Sequence, residues 1–346
     1  MSRKSTRPTV ATIAGDLGIS AATVSYALNG KAGVSAALRE RVLEHARAVG
    51  WTPHSGAQAL RRGRSGNIGL VLIRDPEEVS REPFYAAVTA GIESATSAHG
   101  YELMVRFVPG GGDQEAEVFR TWARQRRVDG VVLLDLAQDD ARPALLESLN
   151  LEFGLLGHYQ GPEDFVKVES AEAADARTVI AHVLERGYDG CIQLAGPAEY
   201  AHEVRRRALI QELCLDHGLP HTWAAGRYSI EGGRSAFTQV DCAVSTRPAI
   251  IASSDLLAIG ALLSAQEAGI DVPRQLGVIS WDDSLIVEVI TPAITALSRR
   301  PFEMGHSVGD LLVRRIEGHR NEAQSDVGTV LQVTEATLHP RASTGG

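Results

Sequence analysis

The chain lacks several things that would place it quickly. No run approaches the roughly 18 apolar residues of a membrane-crossing helix, and the opening MSRKSTRPTVATIAG is basic without the apolar core of a secretory signal. Only three cysteines occur, Cys191, Cys214 and Cys242. An odd count with no close pair excludes a disulfide scaffold and a CxxC metal or redox site, and it suits a reducing cytoplasm. Catalytic and nucleotide signatures are missing too. There is no GxGxxG after the first apolar run, and no GxxxxGK[ST], HExxH or GxSxG. His217 and His221 are four apart, but Gly218 and Pro220 break any helix that would bring them to one metal. Neither a cofactor, a metal nor an enzymatic activity is expected.

What is present is an ordinary globular composition with an uneven charge. The 346 residues are 44% hydrophobic and 22% charged, with a net charge of −9, enough chain for two or three domains. Residues 1–64 carry ten Lys and Arg against only Asp16, Glu40 and Glu44, a balance of +7 that leaves −16 on the remainder. A small basic module on a large acidic body points to a nucleic-acid-binding head. Within it, Val10, Ile13, Ala14 and Leu17 have the spacing of one helical face, with Thr9 as N-cap and Gly18 as stop. Ser20 opens a second helix, whose Val24, Ala27 and Leu28 face inward. Gly18-Ile19-Ser20 is too short for anything but a sharp turn, so the pair reads as a helix-turn-helix. Ser35 caps a third helix with Leu38, Val42, Ala46 and Val49 on one face. Ala21, Ala22, Ser25, Tyr26 and Asn29 point outward from the second helix. They are small or can form hydrogen bonds, so this helix can lie close in a major groove. A three-helix packing unit with no DNA role is the alternative.

From Asn67 onward, apolar runs alternate with helical patterns. The runs are Ile68–Ile73, Leu103–Val108, Val131–Leu134, Gly154–Leu156, Cys191–Ala195, Ala249–Ala252 and Val278–Trp281. Between them stand amphipathic stretches such as Phe84–His99, Ala171–Arg186, Val204–His217 and Asp255–Ala268. That rhythm predicts βαβ units and parallel sheets. Arg127-Val128-Asp129-Gly130 and Gly187-Tyr188-Asp189-Gly190 echo each other, which suggests two similar lobes with a ligand cleft between them. Asp282-Asp283 after an apolar run suits a polar anchor for a ligand better than an acid–base pair.

The stretch TVATIAGDLGISAATVSYALNG and the following VSAALRERVLEHARAVGWTPHSGAQALRRGRSGNIGLVL resemble the LacI/GalR family of bacterial transcription regulators. So do PAIIASSDLLAIGALLSAQEAGIDVP and LGVISWDD, and the likeness runs to about residue 338. The resemblance implies an all-α head at 1–52, a hinge at 53–66 and an α/β body of periplasmic-binding-protein type at 67–342. The body would be two doubly wound parallel-sheet lobes, about 67–168 with 299–326 and about 169–298 with 327–342. The crossings would lie near Val168–Glu169, Leu297–Arg299 and Asp326, and Arg300–Gly318 would be a helix returning to the first lobe.

The resemblance also assigns roles. Ala21, Ala22 and Tyr26 match positions that read bases, while Thr9, Ser20, Thr23, Ser25 and Asn29 match positions that touch phosphates or support the helix. Alanines can meet a thymine methyl but donate nothing, so readout leans on Tyr26 and Ser25. The hinge would fold on DNA, with Leu60 as a minor-groove wedge and Arg61 near phosphate; a flexible linker with one accidental leucine is the alternative. His54 replaces the usual Asn. For the effector, Phe84, Tyr85, His158, Arg205, Tyr228, Ser254, Asp255 and Asp282 match pocket positions. Among these Ser254 replaces an Asn, and nearby Glu169-Ser170 replaces the common Asp-Asn. The loop Arg74–Pro83 is longer than the usual form. Arg206 and Arg207, beside Arg205, read as a solvated run. Arginine, aromatics and carboxylates suit a carbohydrate, although a nucleobase or a sugar phosphate would use similar groups. The expected partners are double-stranded operator DNA, a small-molecule effector and a second copy of the chain. No C-terminal heptad segment suggests a tetramer. A sugar-binding protein without a specific DNA function is the competing reading.

Overall fold

In a computed structural model, which describes residues 8–51, 64–109, 111–159, 165–318, 330–332 and 335–345, the chain divides into two units, 1–65 and 66–346. Among its described residues the first holds three helices. Helix α1 (Val10–Leu17) starts in a reciprocal cap: Thr12 N donates to Thr9 Oγ1 at 3.2 Å and Thr9 N to Thr12 Oγ1 at 3.3 Å. It ends at Gly18, whose φ of +66° is the left-handed conformation that glycine adopts without a Cβ penalty. Helix α2 (Ala21–Leu28) is capped by Ser20, which accepts from Thr23 N at 3.0 Å. Helix α3 (Ala36–Ala48) is capped by Ser35, which accepts from Leu38 N at 3.3 Å. α1 and α2 are bent by 109° at their short break. Ile13, Ala14, Val24, Ala27, Val42 and Ala46 form the small core, and His45 Nε2 bonds Asp16 Oδ2 at 2.9 Å across α3 and α1.

The second unit contains two six-stranded sheets. The first has β1 (Asn67–Leu72), β2 (Glu102–Phe107), β3 (Gly130–Leu133), β4 (Glu152–Leu156), β5 (Val166–Glu169) and β11 (Val330–Gln332), in the order β11-β5-β4-β3-β1-β2 and parallel throughout. The second has β6 (Gly190–Ala195), β7 (His221–Ala225), β8 (Pro248–Ala252), β9 (Gly277–Ser280), β10 (Thr295–Ser298) and β12 (Thr337–His339). Its order is β12-β10-β9-β8-β6-β7, with only β10 and β12 antiparallel. Central strands such as β3, β6 and β8 are buried along their whole length, as expected of strands covered on both faces.

Among the described residues, ten α-helices fill the connections of this unit. They are α4 (Pro76–Arg81), α5 (Pro83–Ala98), α6 (Asp113–Gln125), α7 (Arg142–Ser148), α8 (Glu172–Glu185), α9 (Ala201–Asp216), α10 (Ile230–Gln239), α11 (Asp255–Glu267), α12 (Leu285–Val289) and α13 (Pro301–Gly318). α4 occupies the stretch expected as a long loop. α5 and α13 cover one face of the first sheet and come very close, because a Cβ on Gly91 would stand 2.0 Å from Phe302 O. α6 and α7 cover its other face. α8 and α9 lie on one face of the second sheet, and α10 and α11 on the other.

The chain leaves the first sheet after β5, returns between β10 and α13, and crosses for the last time after β11. β11 pairs in parallel with β5, Leu331 opposite Val168. The last crossing therefore falls after Gln332, and not near Asp326 as the resemblance implied, so 330–332 belongs to the first lobe. The reason is register: a short extended segment found its partner at the open edge of β5 before moving on. The end of the chain is sewn into the second lobe. Thr295 N donates to Ser343 Oγ at 2.8 Å, Ser343 Oγ donates to Val278 O at 2.5 Å, and His182 Nε2 lies 2.9 Å from Thr344 Oγ1. The two echoing motifs do equivalent work. Asp129 accepts from Gly66 N just before β1, and Asp189 accepts from Arg247 N just before β8, each tying a strand entrance to its neighbour.

Candidate functional site

Two constellations emerge, one in each unit. In the head, α2 exposes Ala21 and Ala22 to solvent, and Tyr26 is 46% exposed with Lys31 Nζ 5.6 Å from its ring. Thr9 and Ser20 are spent as caps, their hydroxyls also facing Thr12 and Thr23 at 2.9 and 2.8 Å. Asn29 Nδ2 donates to Ser25 Oγ at 3.0 Å, so Ser25 is partly engaged and Tyr26 is the larger unengaged group on this face. Leu60, Arg61 and His54 lie outside the described residues.

In the second unit a cavity of about 750 Å³, its open mouth included, lies between the C-terminal ends of the two sheets. Phe84, Tyr85, His158, Arg205, Tyr228 and Asp282 line it, as do Gly157, Glu169 and Ser170. Ser254 and Asp255 do not. Ser254 caps α11, accepting from Leu257 N at 3.3 Å, and both residues are buried behind the wall that Ser253 forms. The cap requirement of α11 turns Ser254 away. Burial, reinforced by Asp282, pushes the Asp255 carboxyl up to about 6.

The polar wall is built of paired charges. Arg299 Nε donates to Asp282 Oδ1 at 3.1 Å while its guanidinium lies 5.0 Å from the Phe84 ring. His158 Nδ1 and Lys167 Nζ both stand 3.1 Å from Glu169 Oε1. Arg205, 35% exposed in its side chain, has its Nε 3.7 Å from Glu172 Oε2. Its neighbour Arg206 is not the solvated residue that the run of arginines suggested. It is 2% exposed, pairs with Glu203 Oε1 at 2.9 Å and Glu172 Oε1 at 3.1 Å, and lies 4.7 Å from the Trp281 ring. Glu203 also accepts from Gly196 N, Ser253 Oγ and Tyr228 OH, at 2.8, 2.7 and 2.6 Å. Burial opposes its charge, but Arg206 and His202 outweigh it and hold its carboxyl below the usual range. Tyr228 thus turns its hydroxyl inward, to Glu203 and to His202 Nε2 at 2.9 Å. Glu82, Asp135, Glu172, His202, Arg206 and Arg299 all belong to the wall and were not foreseen. The i, i+3 pairing of Glu203 with Arg206 on α9 was the available signal.

Helix-turn-helix head and cleft body also correspond to known proteins. Residues 9–54 match the model of bacterial regulatory proteins, lacI family, and residues 180–344 that of a periplasmic binding protein-like domain. The relatives of this chain are LacI-family regulators. It is 29% identical to the HTH-type transcriptional regulator CelR of Thermobifida fusca, over 91% of this chain and 94% of that one. With the HTH-type transcriptional repressor CytR of Escherichia coli K12 it shares 27% identity over 99% and 98% of the two chains. A solved complex of CelR with cellobiose superposes with a TM-score of 0.72 at 27% identity, covering 97% of this chain and 100% of that one. A lac repressor dimer bound to operator and the anti-inducer ONPF gives 0.81 over 98% and 99%, and at 22% identity shows the fold alone. The chain is accordingly a DNA-binding transcriptional regulator with a head of the lacI type. Among the described residues no single helix is long and apolar enough to cross a membrane, and no cluster of His, Cys, Asp and Glu could hold a metal ion.

Proposed function

We propose that this regulator binds a pseudo-palindromic operator as a homodimer and is controlled by a carbohydrate in the cleft of the second unit. Two-fold symmetry of the dimer matches half-sites one helical turn apart. The cavity carries the reading of the effector. It combines aromatic faces (Phe84, Tyr85, Tyr228) with arginine and carboxylate groups (Arg205, Asp282, Arg299) at the C-terminal ends of the parallel strands of two sheets. Such a mixture binds hydroxyl-rich rings through stacking and paired hydrogen bonds. That the related CelR was solved with cellobiose supports the same class. Repression released by the sugar is the proposed mode. Ligand favours one orientation of the lobes, which changes the cost of seating the 53–66 hinge on DNA, with Leu60 as wedge and Arg61 at phosphate. A coupling of about 1–3 kcal/mol gives a 5–150-fold change in affinity.

Selection of random duplex DNA by the full-length protein tests this, run with and without a small-molecule extract of the source cells. A palindrome enriched only without extract supports an inducible repressor. Enrichment only with extract reverses the sign to a corepressor. Enrichment that ignores both the extract and a panel of purified sugars overturns the effector assignment.

A further inference from the structure

Arg74 lies two residues past β1, and its guanidinium reaches from the first lobe across the cleft. It is 8% exposed. Its Cζ stands 5.0 Å from the Tyr85 ring, 5.3 Å from Tyr200 and 4.9 Å from Tyr228. Tyr85 comes from α5 of the first lobe, while Tyr200 and Tyr228 come from the loops after β6 and β7 of the second. Two carboxylates complete the surround, Asp135 at 3.5 Å from Nε and Glu82 at 3.8 Å from Nη1. Three aromatic faces and two carboxyl groups are the chemistry of cation recognition.

We propose that Tyr85, Tyr200, Tyr228, Asp135 and Glu82 form a cation site between the lobes, that Arg74 fills it as an internal ligand that pins the lobes together, and that the vacated site takes an alkylguanidinium or primary ammonium ion. The fit of Arg74 is incomplete. Its buried Nε and Nη2 make no hydrogen bond, and donors left bare in a dry site carry a desolvation cost. The pin is therefore releasable: its carboxylates stand at 3.5 and 3.8 Å, against 2.9 and 3.1 Å for those of Arg206, whose own Nε is also unbonded. Further lobe-to-lobe contacts gather at the same end of the cleft. Arg227 Nη2 donates to Glu78 Oε1 at 2.6 Å, and Ala201 N to Leu136 O at 2.7 Å. Arg74, Arg227 and Glu78 all border the groove outside the cavity, so the pin sits where a ligand passes. A cationic small molecule of this class would compete with the chain's own arginine and loosen the lobes. The inference does not depend on the effector being a sugar.

The test is thermal unfolding of full-length Arg74→Ala beside the unmodified chain, in about 10 mM ethylguanidinium chloride and in potassium chloride of equal strength. Arg74→Ala is expected to melt lower, and ethylguanidinium to recover at least half of that loss. Potassium should recover none, the unmodified chain should not gain, and adding Tyr200→Ala should abolish the recovery. Arg74→Gln carries the same measurement if Arg74→Ala yields no folded protein. A variant that melts no lower than the unmodified chain, or ethylguanidinium that shifts both proteins alike or neither, overturns the proposal.

Discussion

Replacing Asp255 by Asn should stabilise the second unit, and the gain should depend on pH. The carboxyl is 2% exposed. Its Oδ1 accepts from Leu256 N at 2.8 Å, whereas its Oδ2 has no hydrogen-bond partner. Burial and the nearby Asp282 raise it to about 6, against about 3.9 for a free Asp. A carboxyl whose pKa is higher in the folded than in the unfolded state holds its proton more tightly when folded. Stability therefore falls as pH rises from about 4 to about 6 and stays lowered above that. Two pH units at about 1.4 kcal/mol each set an upper bound of about 3 kcal/mol at neutral pH. Asn has no charge to lose, keeps an oxygen for Leu256 N, and can donate its amide to Ser284, which stands beside it. At roughly 2 °C per kcal/mol for a unit of this size, the melting temperature should rise by about 5 °C at pH 7.5. The difference should shrink to nothing below pH 4. Thermal melts of both proteins between pH 4 and 8 read this directly. A lower melting temperature for the Asn variant at pH 7.5, or a gap that does not change with pH, would refute the reasoning.

Other substitutions probe the remaining arguments. Arg206→Met should destabilise by about 3–5 kcal/mol, because Glu203 and Glu172 lose a buried partner; denaturant melts measure it, and adding Glu203→Gln should restore part. Ser20→Ala removes the cap of α2 and should cost the head about 1 kcal/mol, visible in its own unfolding transition. Tyr26→Ala should leave stability within about 0.5 kcal/mol but alter base preference at one or two operator positions; selection of random duplexes that returns an unchanged preference shows that Tyr26 reads nothing. Leu60→Ala should weaken operator binding far more than binding to random DNA, and equal losses in a gel-shift titration would remove the wedge.

Caps and periodicity made the head legible. Thr9, Gly18, Ser20 and Ser35 act on the backbone within three residues of themselves, so their roles do not depend on the rest of the fold. The buried central strands were legible for a similar reason, since strands covered on both faces are continuous apolar runs. β5, β7 and β10 escaped the rhythm. His221–Ala225 is an edge strand with an exposed Trp223, and Val166–Glu169 carries Lys167 and Glu169, charges that only a cleft partner such as His158 explains. The site was legible in outline but not in its electrostatics. Arg206 looks like its neighbours Arg205 and Arg207 along the chain, and its distinguishing contacts, Trp281 at the end of β9 and Glu172 on α8, come from distant parts of the sequence. Ser254 looked like a ligand contact because its type and position matched, yet a helix start claimed its hydroxyl first. Arg74 gave no signal at all, because its cage is assembled from both lobes.

The stitching of the chain's end into the second lobe has a practical side. Ser343 and Thr344 are 0% and 1% exposed, and they hold β10, β9 and α8 by hydrogen bonds to Thr295, Val278 and His182. Whatever displaces this segment must first detach these contacts, and each one lost loosens the sheet that carries half the cleft. Proteolytic cutting within residues 341–345 thus reports on the folding of a lobe whose first strand begins far upstream, at Gly190.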